Sequence, residues 1–156
     1  NKSFYMLVLH FRFSSLFYSS QLVDILSYEL PNYVSSKNKG MQSIIVYNFH
    51  VLNTQNRFFI FLNNASASNS TYSLSYNTSM TQSIVELYYA SNWLEREVSE
   101  LHGMSFSGKK DLRNLMLQYG DSSSPFQKSF PSIGLKEMYY NPVKDTIIQN
   151  PISVQI

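Results

Sequence analysis

The sequence predicts an α+β domain, a small mixed or antiparallel β-sheet with flanking helices, followed by an extended C-terminal tail. Three observations carry this. Two runs rich in β-branched and aromatic residues, 43–52 and 57–62, are separated by a short polar turn at 53–56. Residues 92–103 repeat at helical spacing and stop at Gly103. Beyond Ser122 the periodicity dissolves, and Pro125, Pro131, Pro142 and Pro151 punctuate the chain. The division is therefore a domain over 1–120 and a tail over 121–156.

Each element follows in order. Residues 4–13 are dense in aromatic and aliphatic side chains and read as a buried strand. Over 16–30, Leu16, Phe17, Leu22, Val23, Ile25, Leu26 and Leu30 recur near helical spacing, and Pro31 with the polar stretch 35–40 ends that helix. Residues 43–52 and 57–62 form the hairpin. The Asn/Ser/Ala-rich stretch 63–69 reads as a loop. Residues 70–78 alternate Tyr72, Leu74 and Tyr76 with small polar residues, the pattern of a strand with one wet face. Residues 81–90 place Ile84, Leu87 and Tyr88 on one helical face, with Ser79 or Thr81 as cap. In 92–103, Trp93, Glu97, Glu100 and Leu101 lie around one side, and Gly103 suits the stop. Residues 111–119 predict a third short helix, ended by Gly120. The tail is unsuited to folding alone and is expected to lie on a partner.

Composition bounds the function. The 156 residues are 44% hydrophobic and 15% aromatic, with 14% charged and a net charge of +2. A chain of this length buries roughly 68–70% of its unfolded surface, enough for a core without staples. With no cysteine, the sequence offers no disulfide, thiolate-held iron–sulfur cluster, cysteine-ligated zinc or cysteine nucleophile. The charge is too small to imply a nucleic-acid footprint. The most apolar run, 4–13, is interrupted by His10 and Arg12 and falls short of the ~20 residues that span a bilayer. No small-residue cleavage site follows it, so a signal peptide is not expected.

The densest titratable cluster is Glu95-Arg96-Glu97-Val98-Ser99-Glu100-Leu101-His102. Glu95 and His102, seven apart, are a poor metal chelate, and surface ion pairs or partner contacts are the plainer reading. Glu97 and Glu100 could act as paired acid and base, but no cleft or substrate signal accompanies them. His10, His50 and His102 are scattered, no serine sits in a nucleophile elbow, and no phosphate-binding glycine loop occurs. Lys109, Lys110, Arg113 and Lys128 form a modest positive patch, which with nearby aromatics would suit RNA, although a solvated or protein-facing patch is the plainer reading. Glycosylation sequons at Asn64, Asn69 and Asn77 arise readily in so Asn- and Ser-rich a chain, and the missing cysteines argue against an extracellular life.

One stretch is more specific. Ser91-Asn92-Trp93-Leu94-Glu95-Arg96-Glu97, then Gly103, then Gly108-Lys109-Lys110-Asp111-Leu112-Arg113 resembles the 30-kDa subunit family of respiratory complex I, the NADH–ubiquinone oxidoreductase. This family includes the mitochondrial subunit 9 and its bacterial C-type counterpart. Its pattern runs N-W-x-E-R-E, a short acidic-apolar segment ending in Gly, then G-H-P-D-L-R-R. The likeness continues through Tyr119-Gly120, Pro125, Lys128, Phe130-Pro131, Gly134, Glu137, Tyr140 and Pro151. Upstream it covers Asn56-Arg57-Phe58 and an outline of strand, helix and strand. The sequence departs from the pattern at His102, Lys109-Lys110, Asn114, Gln118, Leu135, Tyr139 and Asn141. Particular salt bridges to a neighbouring subunit are therefore not carried over.

The resemblance implies a structural subunit of the peripheral arm, supporting electron transfer from NADH to ubiquinone. It implies no catalytic site, cofactor site or metal in this chain, with the iron–sulfur clusters and FMN on partner subunits. The implied partners are the large quinone-module subunit (49-kDa type) and the small iron–sulfur subunit, with no nucleic acid and no membrane span. The implied place is the matrix side of the inner mitochondrial membrane, and the Asn, Ser, Tyr and Phe bias suggests organelle encoding. Interface candidates are Trp93, Glu95, Arg96, Glu97, Asp111, Arg113, Tyr119, Lys128, Phe130, Pro131, Glu137 and Tyr140. Trp93, the single tryptophan, suits an anchor, and core packing is an equally good account of it. Alternatives are the same subunit in a related quinone-linked dehydrogenase or membrane-bound hydrogenase, a free-standing RNA-binding domain, and an independent enzyme.

Overall fold

A computed structural model describes residues 2–31, 41–64 and 80–152. Its elements are α1 (Lys2–Phe13), β1 (Ser20–Pro31), β2 (Met41–Val51), β3 (Asn56–Asn64), β4 (Thr81–Gln82), α2 (Ser91–His102), β5 (Phe106–Ser107), β6 (Lys136–Asn141) and β7 (Thr146–Pro151). The strands β1-β2-β3 form an antiparallel sheet, β4 and β5 pair in parallel, and β6 and β7 pair antiparallel. This is the α+β class that the sequence predicts. Among the described residues, no helix is long and apolar enough to cross a membrane.

The β2–β3 hairpin forms where the sequence places it. Tyr47 faces Ile60 and Phe49 faces Phe58 on the core side, while Val46 pairs with Phe61 on the other. Alternation sets most of the burial: Ile45, Tyr47 and Phe49 are buried and Phe59 and Phe61 exposed, while Val46 is buried on the opposite face. Asn63 and Asn64 continue β3 instead of starting the predicted loop. The predicted strand over 70–78, most of the loop over 63–69 and the polar stretch 35–40 lie outside the described residues.

The first thirty residues reverse the sequence reading. Residues 4–13 are helical, not a strand: Phe4 and Val8, four apart, enter the core, and Phe4 packs on Tyr47 with ring centroids 4.7 Å apart. A short run apolar on every side does not reveal its period, and the sheet surface decides. Of residues 16–30, read as helix, 20–30 lie in β1. A register shift between Leu22 and Asp24 inserts Val23 as an extra residue, so the core residues Leu22 and Ile25 fall three apart. A bulge thus disguises a strand as helical spacing.

Residues 81–90 are not a helix. The short strand β4 is followed by a single turn in which Leu87 and Tyr88 donate to the carbonyl of Ile84. The spacing there does place Ile84 and Tyr88 in the core. Helix α2 forms as predicted and ends at Gly103, whose φ of 69° is left-handed. A Cβ at Gly103 would lie 2.5 Å from Gln127 Nε2, so glycine serves both the helix stop and the close approach. Residues 111–119 form no helix either, for a reason given below. Within the tail, 136–151 fold as the β6–β7 hairpin, which proline spacing alone does not show.

Candidate functional site

The family-like residues gather on α2 and the segment that follows it. Ser91, Glu95, Val98 and Leu101 lie on one stripe of α2, and all are buried. Glu95 is therefore carried into the interior with its carboxylate, at 0% exposure. There it accepts hydrogen bonds from the Ser83 hydroxyl at 2.6 Å and the Ile84 backbone N–H at 2.9 Å. Lys109 Nζ lies 3.7 Å from Glu95, its side chain only 2% exposed. It donates to the Asn92 carbonyl at 3.0 Å and sits over the Phe106 ring. Burial pushes the Glu95 carboxyl up and the Lys109 ammonium down, and their mutual attraction opposes both shifts.

Neighbouring stripe positions Asn92, Arg96 and Glu100, four apart, face the following segment. Arg96 donates to the carbonyls of Arg113 at 2.9 Å and Asn114 at 3.3 Å, and lies 3.5 Å from the Asp111 carboxylate. Arg113 also binds Asp111 through two bonds of 3.0 Å, which hold the Asp111 carboxyl well below the usual carboxylate range. Glu100 accepts from three consecutive backbone N–H groups: Leu115 at 2.9 Å, Met116 at 2.6 Å and Leu117 at 3.3 Å. Those donors would serve carbonyls four residues back in a helix, and Arg96 claims two carbonyls besides. The side chains of α2 have displaced the predicted helix over 111–119. A polar cleft of about 260 Å³ runs between α2 and this segment.

The chain next crosses the end of α2. Phe126 N–H donates to the Leu101 carbonyl at 3.0 Å, and Gln127 Nε2 to that of His102 at 3.1 Å. Lys128 N–H donates to Glu29 on β1 at 2.9 Å. His102 packs edge-on against Phe126, and burial lowers its pKa below 6.5 despite the opposing pull of Glu29. The unfolded chain therefore binds more protons, and this contribution to stability, full above pH 6.5, is lost as pH falls toward the folded value. His102→Gln is expected to flatten the stability profile below about pH 6.5, read from urea midpoints at several pH values.

The interface candidates separate clearly. Glu95 is interior, and Arg96 is engaged with Asp111 and two carbonyls. Trp93 is 59% exposed and Tyr119 74%, with the Arg96 guanidinium over the Trp93 ring. Core packing is thus not the role of Trp93. Glu97 and Phe130 are half-buried, and Lys128 and Pro131 exposed. Glu137 and Tyr140 lie on β6, where Tyr140 donates to Asp145. Sequence reading misses Leu112 and Met116, which are 71% and 66% exposed on the segment whose backbone α2 holds.

Two other readings lose their geometry. The positive patch is broken, because Lys109 turns inward to Glu95 and Arg113 is paired with Asp111. The Glu100 carboxylate is already committed to backbone donors, so it does not stand free beside Glu97. Glu95 and His102 are engaged with different partners, and among the described residues no three His, Asp or Glu side chains gather to hold a metal.

Fold and network together define an α+β domain whose charged residues shape its own surface and leave aromatic and aliphatic side chains outward. Residues 8–136 match the family of the respiratory-chain NADH dehydrogenase 30-kDa subunit, and the chain belongs to that family. It is 35% identical over 146 residues to NADH-ubiquinone oxidoreductase subunit 9 of Paramecium primaurelia, covering 88% of this chain and 63% of the relative. The C-type subunit of the NADH-quinone oxidoreductase of Rhodobacter capsulatus is 43% identical over 75 residues, covering 48% of this chain and 38% of the relative. Its counterpart in Paraburkholderia xenovorans is 29% identical over 135 residues, covering 86% and 63%. The chain thus spans less than two thirds of the length of these relatives.

Proposed function

We propose that this chain is a structural subunit of the peripheral arm of complex I. It would help hold the quinone-reducing module together while electrons pass from NADH to ubiquinone through groups on other chains. One observation carries the reading: the polar groups of α2 and residues 108–121 face each other, while Trp93, Leu112, Met116 and Tyr119 are displayed to the outside. Aromatic and methionine side chains on a fixed backbone are what protein interfaces favour. The β6–β7 hairpin extends the same character, with Met138, Tyr140 and Ile147 exposed. A two-stranded hairpin of this kind is marginal alone and gains stability by docking.

The partners proposed are the large quinone-module subunit and the small iron–sulfur subunit, which would carry the clusters. The proposed location is peripheral, on the matrix side of the inner mitochondrial membrane, with the gene in the organelle. Family membership and the match to a subunit 9 support this reading. Native isolation of the chain from its source membranes, with mass identification of what co-purifies, tests it.

A further inference from the structure

Residues 108–121 contain no helix or strand, and among the described residues no backbone–backbone hydrogen bond joins them to the rest of the chain. Their attachment comes from side chains. Glu95 meets Lys109, Arg96 meets Asp111 and two carbonyls, and Glu100 gathers the N–H groups of 115–117. Segments held this way sit at the low-stability end of a fold. The spacing over 111–119 reads as a helix in the sequence, and such a helix would need the N–H groups that Glu100 now accepts.

We infer that residues 108–121 are a strap whose closure on α2, set by Glu100, makes the chain competent to dock. Glu100 is a positioning residue: its carboxylate is spent on the N–H groups of 115–117, and it acts by fixing the backbone that carries Leu112, Met116 and Tyr119. With the strap closed, those side chains are already placed, and a neighbouring subunit need not order them on binding. With the Glu100 side chain removed, 115–117 lose their acceptor and the display dissolves. This inference rests on the docking reading above, and it names the step on which docking depends.

The test uses the full chain, tagged and expressed in its source cells, as wild type, E100A, E100Q and the exposed-surface variant L112S/M116S. Amide exchange over 112–118 is expected to quicken about 10- to 100-fold in E100A, and less in E100Q, whose side-chain carbonyl still accepts. Exchange over β2 and α2 should stay as in wild type, which shows that the core is intact. Recovery of E100A in the NADH-oxidising particle should fall at least about tenfold. L112S/M116S should lose recovery with its exchange unchanged. Unchanged exchange in E100A and E100Q overturns the strap tie, and quickened exchange with full recovery overturns its role in docking. Absence of the wild-type chain from the particle would instead overturn the docking reading itself.

Discussion

Replacing Lys109 with methionine is expected to destabilise the fold by about 3–5 kcal/mol, because it leaves a buried carboxylate without its counter-charge. Glu95 would keep Ser83 and the Ile84 N–H, but these bonds offset only part of the cost of burying the charge. The variant should also acquire a pH signature. Burial already raises the Glu95 carboxyl above 4.5, and losing the ammonium raises it further. A folded pKa above the unfolded one favours the folded state at low pH. The Glu95 contribution in the variant should therefore be full below about pH 4.5 and be lost as pH rises through the folded value. Glu95→Gln in the same background should recover much of the loss. A double-mutant cycle on urea midpoints measures the coupling, and purely additive single effects would mean that the two charges do not act as a pair.

Phe49→Ala is the second large effect expected, about 3–5 kcal/mol. Phe49 is 1% exposed at the centre of an aromatic cluster, with ring centroids 5.2 Å from Phe58, 5.3 Å from Tyr88 and 6.5 Å from Tyr47. Through Tyr88 it joins the sheet to the turn after β4, where the Tyr88 hydroxyl also bonds Ser20 at 2.6 Å. The variant should lower the urea midpoint without changing the slope. A loss under about 1 kcal/mol would show that the neighbouring rings close the cavity.

Legibility in the sequence follows the range of the forces involved. The β2–β3 hairpin and α2 are readable because alternation, a polar turn and a terminal glycine are local signals. Strand β1 reads wrongly because its bulge moves Leu22 and Ile25 to helical spacing, and α1 because its apolar residues occupy every side. The strap reads wrongly because the acceptor of its N–H groups, Glu100, stands outside the segment itself. Glu95 reads as a surface residue although a usable signal exists. It shares a stripe with Ser91, Val98 and Leu101, and a lone acid on a helix's buried stripe calls for a cation, here Lys109. Trp93 and Tyr119 are interface candidates in the sequence, with core packing an equal account of Trp93, and their exposure follows from the stripe opposite Glu95 and from the strap.

On the proposed reading this chain works as a docked subunit. Native isolation from source membranes, under detergent conditions that keep respiratory assemblies whole, tests it most directly. Recovery is expected in a megadalton-scale particle that oxidises NADH, together with a large quinone-module subunit and an iron–sulfur subunit. Recovery as a free monomer, or in company with RNA, would contradict it.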